Sequence, residues 1–138
     1  MEEMELQSDN DTGGSNKKKI LIVDDEKAIR ETIAEFLEIY GMEPIAVEDG
    51  LLGIEEIESK AYDLCIVDLL MPGIDGGEFI RRAKKSNPAT KFIVITGRKM
   101  AFEKEYLDIK AIPGVVAVVR KPFPLEKLYE TIKKELGD

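Results

Sequence analysis

The chain has 138 residues, enough for one domain of ordinary size with a real core. It carries a formal net charge of −8, with no histidine, no tryptophan and a single cysteine, Cys65. That composition excludes a His-based catalytic triad, a His-containing zinc site and an internal disulfide.

The charge is uneven. Residues 1–16, MEEMELQSDNDTGGSN, hold Glu2, Glu3, Glu5, Asp9 and Asp11 and no Lys or Arg, so they carry −5 and leave −3 for residues 17–138. A nearly balanced remainder is no footprint for nucleic acid. The acidic, then Gly/Ser/Asn-rich start is expected to be a disordered leader ahead of one folded domain over residues 17–138. Lys17, Lys18 and Lys19 read as a solvated lead-in to the first strand. No signal-peptide core, membrane-length apolar run or internal repeat is visible, so a cytoplasmic protein with no membrane partner is expected.

From Lys19 the pattern alternates. KILIVDD is a short continuous apolar run, as a strand buried on both faces would be. Ile29, Ile33, Phe36, Leu37 and Tyr40 then recur at helical spacing, with Gly41 as a stop. MEPIAV reads as a second strand, and Leu51 to Lys60 as a second helix. DLCIVD is a third strand; Cys65 within it reads as a buried structural thiol. Gly77 to Ser86 is a third helix, ended by Asn87-Pro88. KFIVIT is a fourth strand, Met100 to about Ile109 a fourth helix of poor periodicity, and GVVAVV a fifth strand. Leu125, Leu128, Tyr129, Ile132 and Leu136 mark a last amphipathic helix.

Strands alternating with helices imply parallel pairing with helices on both faces. The expected fold is a doubly wound α/β sandwich with a five-stranded parallel sheet. The order 2-1-3-4-5 is a standard solution, although the pattern alone does not fix it.

Polar residues stand where the apolar runs stop. Asp24-Asp25 follows the first, Asp68 ends the third, Thr96 ends the fourth, and Arg120-Lys121-Pro122 follows the fifth. In a parallel sheet those ends share one edge, and ligands bind at the crevice where strand order reverses. With the order 2-1-3-4-5, Asp24, Asp25 and Asp68 converge there, flanked by Thr96 and Lys121. Clustered carboxylates need a cation, and an all-oxygen set suits Mg²⁺. Carboxylate, cation, hydroxyl and ammonium together fit a phosphoryl group, with a carboxylate as nucleophile. Taken singly, Asp24 or Asp25 reads equally as a helix cap, and Asp75 reads as a turn or cap residue. Pro72 and Gly73 read as loop geometry.

The segments ILIVDDE, VDLLMPGIDG, VITG and RKPF, in this order over about 120 residues, resemble a response-regulator receiver domain of two-component signalling, chemotaxis-regulator-like and flavodoxin-like in fold, a (βα)5 three-layer sandwich. The resemblance implies that Asp68 is the phospho-acceptor and Asp24-Asp25 the acidic pair. It also implies that Asp25, Asp68 and the Leu70 carbonyl ligate Mg²⁺, that Thr96 is the switch hydroxyl, and that Lys121 precedes a cis proline. It implies a phosphohistidine donor, either a sensor histidine kinase or a histidine phosphotransfer protein. Output would go to a target protein through the fourth helix, fifth strand and fifth helix, from a monomer or a phosphorylation-dependent dimer. Catalysis would be limited to the protein's own phosphorylation and dephosphorylation. With the sequence ending two residues after Leu136, a stand-alone form without an output domain is expected.

Three features depart from the family habit. Val118 stands where many receivers carry Tyr or Phe, so rotation of a ring there is not available; Phe102 or Tyr106 is a candidate substitute. Leu70 and Arg98, two residues after Asp68 and Thr96, border the path of hydrolytic water, and an apolar Leu70 implies slow hydrolysis. Pro113 and the long interval from Thr96 to Lys121 imply an irregular fourth helix or following loop. Two other readings are an aspartyl-phosphate phosphatase or phosphotransferase, disfavoured by the absence of an Asp-x-Asp motif at Asp68 and of a cap insertion, and a receiver-like binding module that signals unphosphorylated.

Overall fold

The computed structural model of the protein describes residues 17–71, 73–97 and 103–137. Five strands, β1 (Lys19–Val23), β2 (Glu43–Val47), β3 (Leu64–Asp68), β4 (Lys91–Thr96) and β5 (Val115–Arg120), alternate with α1 (Lys27–Ile39), α2 (Gly50–Ser59), α3 (Gly76–Ser86), α4 (Glu103–Lys110) and α5 (Leu125–Leu136). All strand pairs are parallel and the sheet order is β2-β1-β3-β4-β5, as expected.

The apolar runs are continuous because helices cover both faces of the sheet. The two-residue period of each strand then divides its side chains between two cores. Leu21, Val23, Cys65, Val67, Phe92 and Val94 pack with Ile54, Ile57, Phe79, Ile80 and Ile109 from α2, α3 and α4. Ile20, Ile22, Leu64, Ile66, Ile93 and Ile95 pack with Ile33, Leu37, Leu128 and Ile132 from α1 and α5. Cys65 is a fully buried free thiol, and burial pushes its pKa well above the ordinary value.

Helix ends follow local chemistry. Gly41 (φ 81°) closes α1, its amide donating to the Glu38 carbonyl at 3.0 Å while Met42 N donates to the Leu37 carbonyl at 3.0 Å. Asp49 and Asp75 cap α2 and α3 by accepting from Leu52 N and Glu78 N, each at 2.9 Å. Asp75 is therefore the cap residue that its place before two glycines implied. Two helices start one residue earlier than the apolar spacing predicts, at Gly50 and Gly76, because each cap lies immediately before its glycine.

Around β5 the geometry is irregular. Phe92 pairs with Val115 and Ile93 with Ala117, so Val116 is an extra residue in the ladder. Gly114 precedes it at φ 97°. The fourth helix runs to Lys110, and its expected start at Met100 lies outside the described residues. So do the leader over residues 1–16, Pro72, Arg98 and Phe102. Val118 is half-buried and packs on the core beneath α2, α3 and α4. No described helix is long and apolar enough to cross a membrane.

Candidate functional site

Parallel strands bring their carboxyl ends to one edge, and the register aligns them. Val23 pairs with Val67, Asp68 with Ile95, and Thr96 with Arg120. The residues just past these pairs are therefore neighbours at the edge where β1 and β3 diverge.

Asp24 follows β1 and is fully buried. Its amide donates to the Val47 carbonyl at 3.2 Å, which extends the run of β1 beside β2. Its Oδ1 accepts from Glu26 N at 2.9 Å, and its carbonyl accepts from Arg30 Nη1 at 2.9 Å. Neither Asp24 nor Asp25 caps α1; Glu26 is the residue that opens that helix, and its side chain makes no capping bond. Asp25 is exposed. Asp68 ends β3 and is 5% exposed. Its Oδ1 accepts from Leu70 N at 3.1 Å, and its Oδ2 accepts from Lys121 Nζ at 2.9 Å.

Lys121 is aimed by its main chain. Its amide donates to the Thr96 carbonyl at 2.8 Å, one step beyond the last pair of β4 and β5. The Lys121-Pro122 peptide is cis, as the resemblance implied. The ammonium lies 2.9 Å from Asp68 Oδ2, 2.9 Å from Glu26 Oε1 and 3.1 Å from Asp24 Oδ2. The Asp24 contact is an ion pair and not a hydrogen bond, so Asp24 Oδ2 is buried without a hydrogen-bond donor. Asp24, Asp25 and Asp68 each offer one carboxylate oxygen within 4.8 Å of the others.

Electrostatics follow from this crowding. Burial raises the Asp24 pKa, and the Asp68 charge adds to the rise; the Glu26 amide and Lys121 oppose it without cancelling it. Burial pulls Lys121 down, but the carboxylates of Asp68, Glu26 and Asp24 around it prevail and raise its pKa. Lys121 is thus a fixed cation. One ammonium serving several carboxylates leaves the cluster short of positive charge, and an all-oxygen donor set with an unsatisfied buried oxygen fits a hard divalent cation.

Of the residues singled out in the sequence, Asp24, Asp25, Asp68 and Lys121 meet in this cluster. Thr96 stands at the same edge, fully buried at the end of β4 beside Lys121. Leu70 lies next to Asp68 with half its surface exposed. Two participants were not anticipated. Glu26 bonds Lys121, and its only signal is being the third acid in the run Asp24-Asp25-Glu26. Arg30 holds the Asp24 carbonyl from one turn further along α1, and no motif marks it. Glu26 and Lys121 also border an open groove of about 600 Å³ lined by Ile29, Thr32, Phe123 and Leu125.

Comparison with known proteins places this arrangement. The model of the response regulator receiver domain matches residues 20–133. Response regulator ArlR of Staphylococcus saprophyticus is 35% identical over 119 residues, which are 86% of this chain and 52% of that protein. The response regulator receiver protein CpdR of Brucella abortus is 30% identical over 119 residues, covering 86% of this chain and 97% of that protein. The chain spans about half the length, or less, of other curated relatives that it matches. Among solved structures, a CheY-like receiver domain protein from Methanospirillum hungatei JF-1 superposes with a TM-score of 0.82 at 31% identity, covering 88% of this chain and 95% of that one. In sequence and in fold alike, the chain belongs to the response regulator receiver domain family of two-component signalling.

Proposed function

We propose that the domain accepts a phosphoryl group on Asp68 from a phosphohistidine donor and signals by protein binding that depends on that modification. The observation that carries this reading is the 2.9 Å bond from Lys121 Nζ to Asp68 Oδ2, in a cluster that also holds Asp24 and Asp25.

In this reading an Asp68 carboxylate oxygen attacks phosphorus. The bond from phosphorus to the donor nitrogen breaks, and the imidazole leaves with the electron pair. Lys121, already a fixed cation beside Asp68, passes to a phosphoryl oxygen of the aspartyl phosphate. Thr96, buried at the end of β4, is the hydroxyl that bonds another phosphoryl oxygen. Asp24, Asp25 and Asp68 with the Leu70 carbonyl would hold Mg²⁺, which supplies positive charge against the phosphoryl oxygens. Arg30 and the Glu26 amide keep Asp24 in place for that task.

The donor class is a sensor histidine kinase or a histidine phosphotransfer protein. The output surface is the face of α4, β5 and α5, where Tyr106 and Leu107 are exposed. With Val118 at the position of the usual ring, the signal reaches that face without an aromatic flip on β5. The domain's catalysis is confined to gaining and losing its own phosphoryl group.

The test is incubation of the full chain with acetyl phosphate and Mg²⁺, read by intact mass. The wild type gains one phosphoryl group; Asp68→Asn and an EDTA-treated wild type gain none. Equal incorporation by Asp68→Asn removes Asp68 as the acceptor.

A further inference from the structure

The Glu26 carboxylate is the member of the cluster that the proposed reaction leaves unused. Its carboxylate bonds Lys121 Nζ at 2.9 Å, as closely as Asp68 does. Its side chain is 56% exposed against 12% for Lys121, so it stands on the solvent side, at the mouth of the cluster. It opens α1 without making a capping bond, which leaves holding Lys121 as its observed contact.

A lysine ammonium has three N–H donors, and the three close carboxylates here are Asp24, Glu26 and Asp68. A phosphoryl oxygen that reaches Lys121 competes with them for the ammonium. Asp24 is buried and tied to the Glu26 amide, and Asp68 is the acceptor itself. Glu26 is the one free to swing into water. We infer that Glu26 is a specificity-determining residue for the phosphodonor. It competes for Lys121 and sets a negative charge at the mouth, so small donors are disfavoured in proportion to the negative charge they bring. This inference rests on the reading of Asp68 as acceptor.

Two small donors separate charge from chemistry. Acetyl phosphate is a dianion near neutral pH; phosphoramidate carries a single net negative charge. With the first, Asp68 attacks phosphorus, the bond to the acetate oxygen breaks and acetate leaves with the electron pair. With the second, the phosphorus–nitrogen bond breaks and ammonia leaves, its nitrogen already protonated.

The experiment measures second-order rate constants for phosphoryl uptake by the full chain, with Mg²⁺ at fixed ionic strength, for both donors. Glu26→Gln should raise the acetyl phosphate constant roughly fivefold and the phosphoramidate constant about twofold, since one removed charge acts on two donor charges or on one. Glu26→Asp, which keeps the charge, should retain the wild-type ratio of the two constants. Glu26→Lys should move the ratio further than Glu26→Gln does. A Glu26→Gln protein in which both constants are unchanged, or change by the same factor, overturns the inference and leaves Asp68 as acceptor untouched. A wild type that takes no phosphoryl group from either donor overturns the acceptor reading, and this inference with it.

Discussion

Lys121 Nζ bonds Asp68 Oδ2 at 2.9 Å although 53 positions of chain separate the two residues. In the sheet, β4 lies between their strands, so Lys121 reaches over the end of a neighbour to meet Asp68. The pair therefore depends on the β4–β5 register, and in particular on the 2.8 Å bond from Lys121 N to the Thr96 carbonyl. Function at this edge has a stability cost, because the buried Asp24 shares the same ammonium and has a carboxylate oxygen without a hydrogen bond.

Replacing Asp24 by Asn should make the metal-free protein more stable. Asn keeps the oxygen that accepts from Glu26 N at 2.9 Å and removes the charge that burial disfavours. The expected gain is about 1 kcal/mol at pH 7, a modest figure because the cluster opens to solvent on one side. The sign with pH follows from the raised folded pKa. Ionised Asp24 is a full penalty above that pKa, and the penalty is gone once pH falls below the unfolded value of 3.8. The difference between variant and wild type should therefore shrink as pH falls. Mg²⁺ should stabilise the wild type more than the variant. Urea unfolding across pH, with EDTA or Mg²⁺, checks all three.

At the opposite end of the strands, in the connection from α2 to β3, Tyr62 donates to Glu56 Oε1 at 2.6 Å from a buried ring. That bond, helped by Lys60, lowers the Glu56 pKa from its ordinary value against the opposing effect of burial. A depressed carboxylate stabilises the fold above its unfolded value and loses that contribution as pH falls through its folded value. Tyr62→Phe should cost about 1 kcal/mol at pH 7, and the gap should close in acid. The same unfolding series reads it.

Much of this was legible in the sequence. β1, β3 and β4 stand out because a strand covered on both faces has to be apolar at every position. Asp24, Asp25, Asp68, Thr96 and Lys121 stand out because each interrupts or follows such a run. Glu26 was not legible: it sits at the exposed start of a helix, where an acid is ordinary, and only the reach of Lys121 across the sheet end gives it a partner. The helix starts at Gly50 and Gly76 were missed because the side-chain pattern does not mark the residue behind a cap, whereas in the fold the absent Cβ is what permits close approach. A Cβ on Gly50 would stand 2.2 Å from Ile74 Cγ2.

Gly76 makes that argument testable at the site. A Cβ there would lie 3.0 Å from both the Asp68 carbonyl oxygen and Leu69 Cα, which are main-chain atoms with little room to yield. Gly76→Ala should cost about 1–3 kcal/mol and, by shifting the main chain of Asp68, slow phosphoryl uptake. Gly77 is the control. Its nearest contacts, at 3.4 Å, are the side-chain atoms Arg81 Nη1 and Asp75 Oδ1. Gly77→Ala should be neutral or stabilise by up to about 1 kcal/mol through helix propensity, with uptake unchanged. Thermal unfolding and acetyl phosphate kinetics on the two variants decide it.

If Asp68 is phosphorylated as proposed, Leu70 is placed to affect how long that state lasts. Its amide anchors Asp68 Oδ1 at 3.1 Å, while half its surface faces solvent beside the acceptor. A water that attacks the aspartyl phosphate must be held in line with the phosphorus–oxygen bond, and an apolar side chain offers it no hydrogen bond. Leu70→Asn supplies a carbonyl and an amide at that border while leaving the Leu70 main-chain bond to Asp68 in place. Dephosphorylation, followed after removal of acetyl phosphate, should quicken on the order of tenfold. Uptake should change far less, because in the proposed reaction the attack on the donor comes from Asp68 and not from water. An unchanged decay rate in Leu70→Asn would show that water is positioned by other groups, and Leu70 would then have no part in the lifetime.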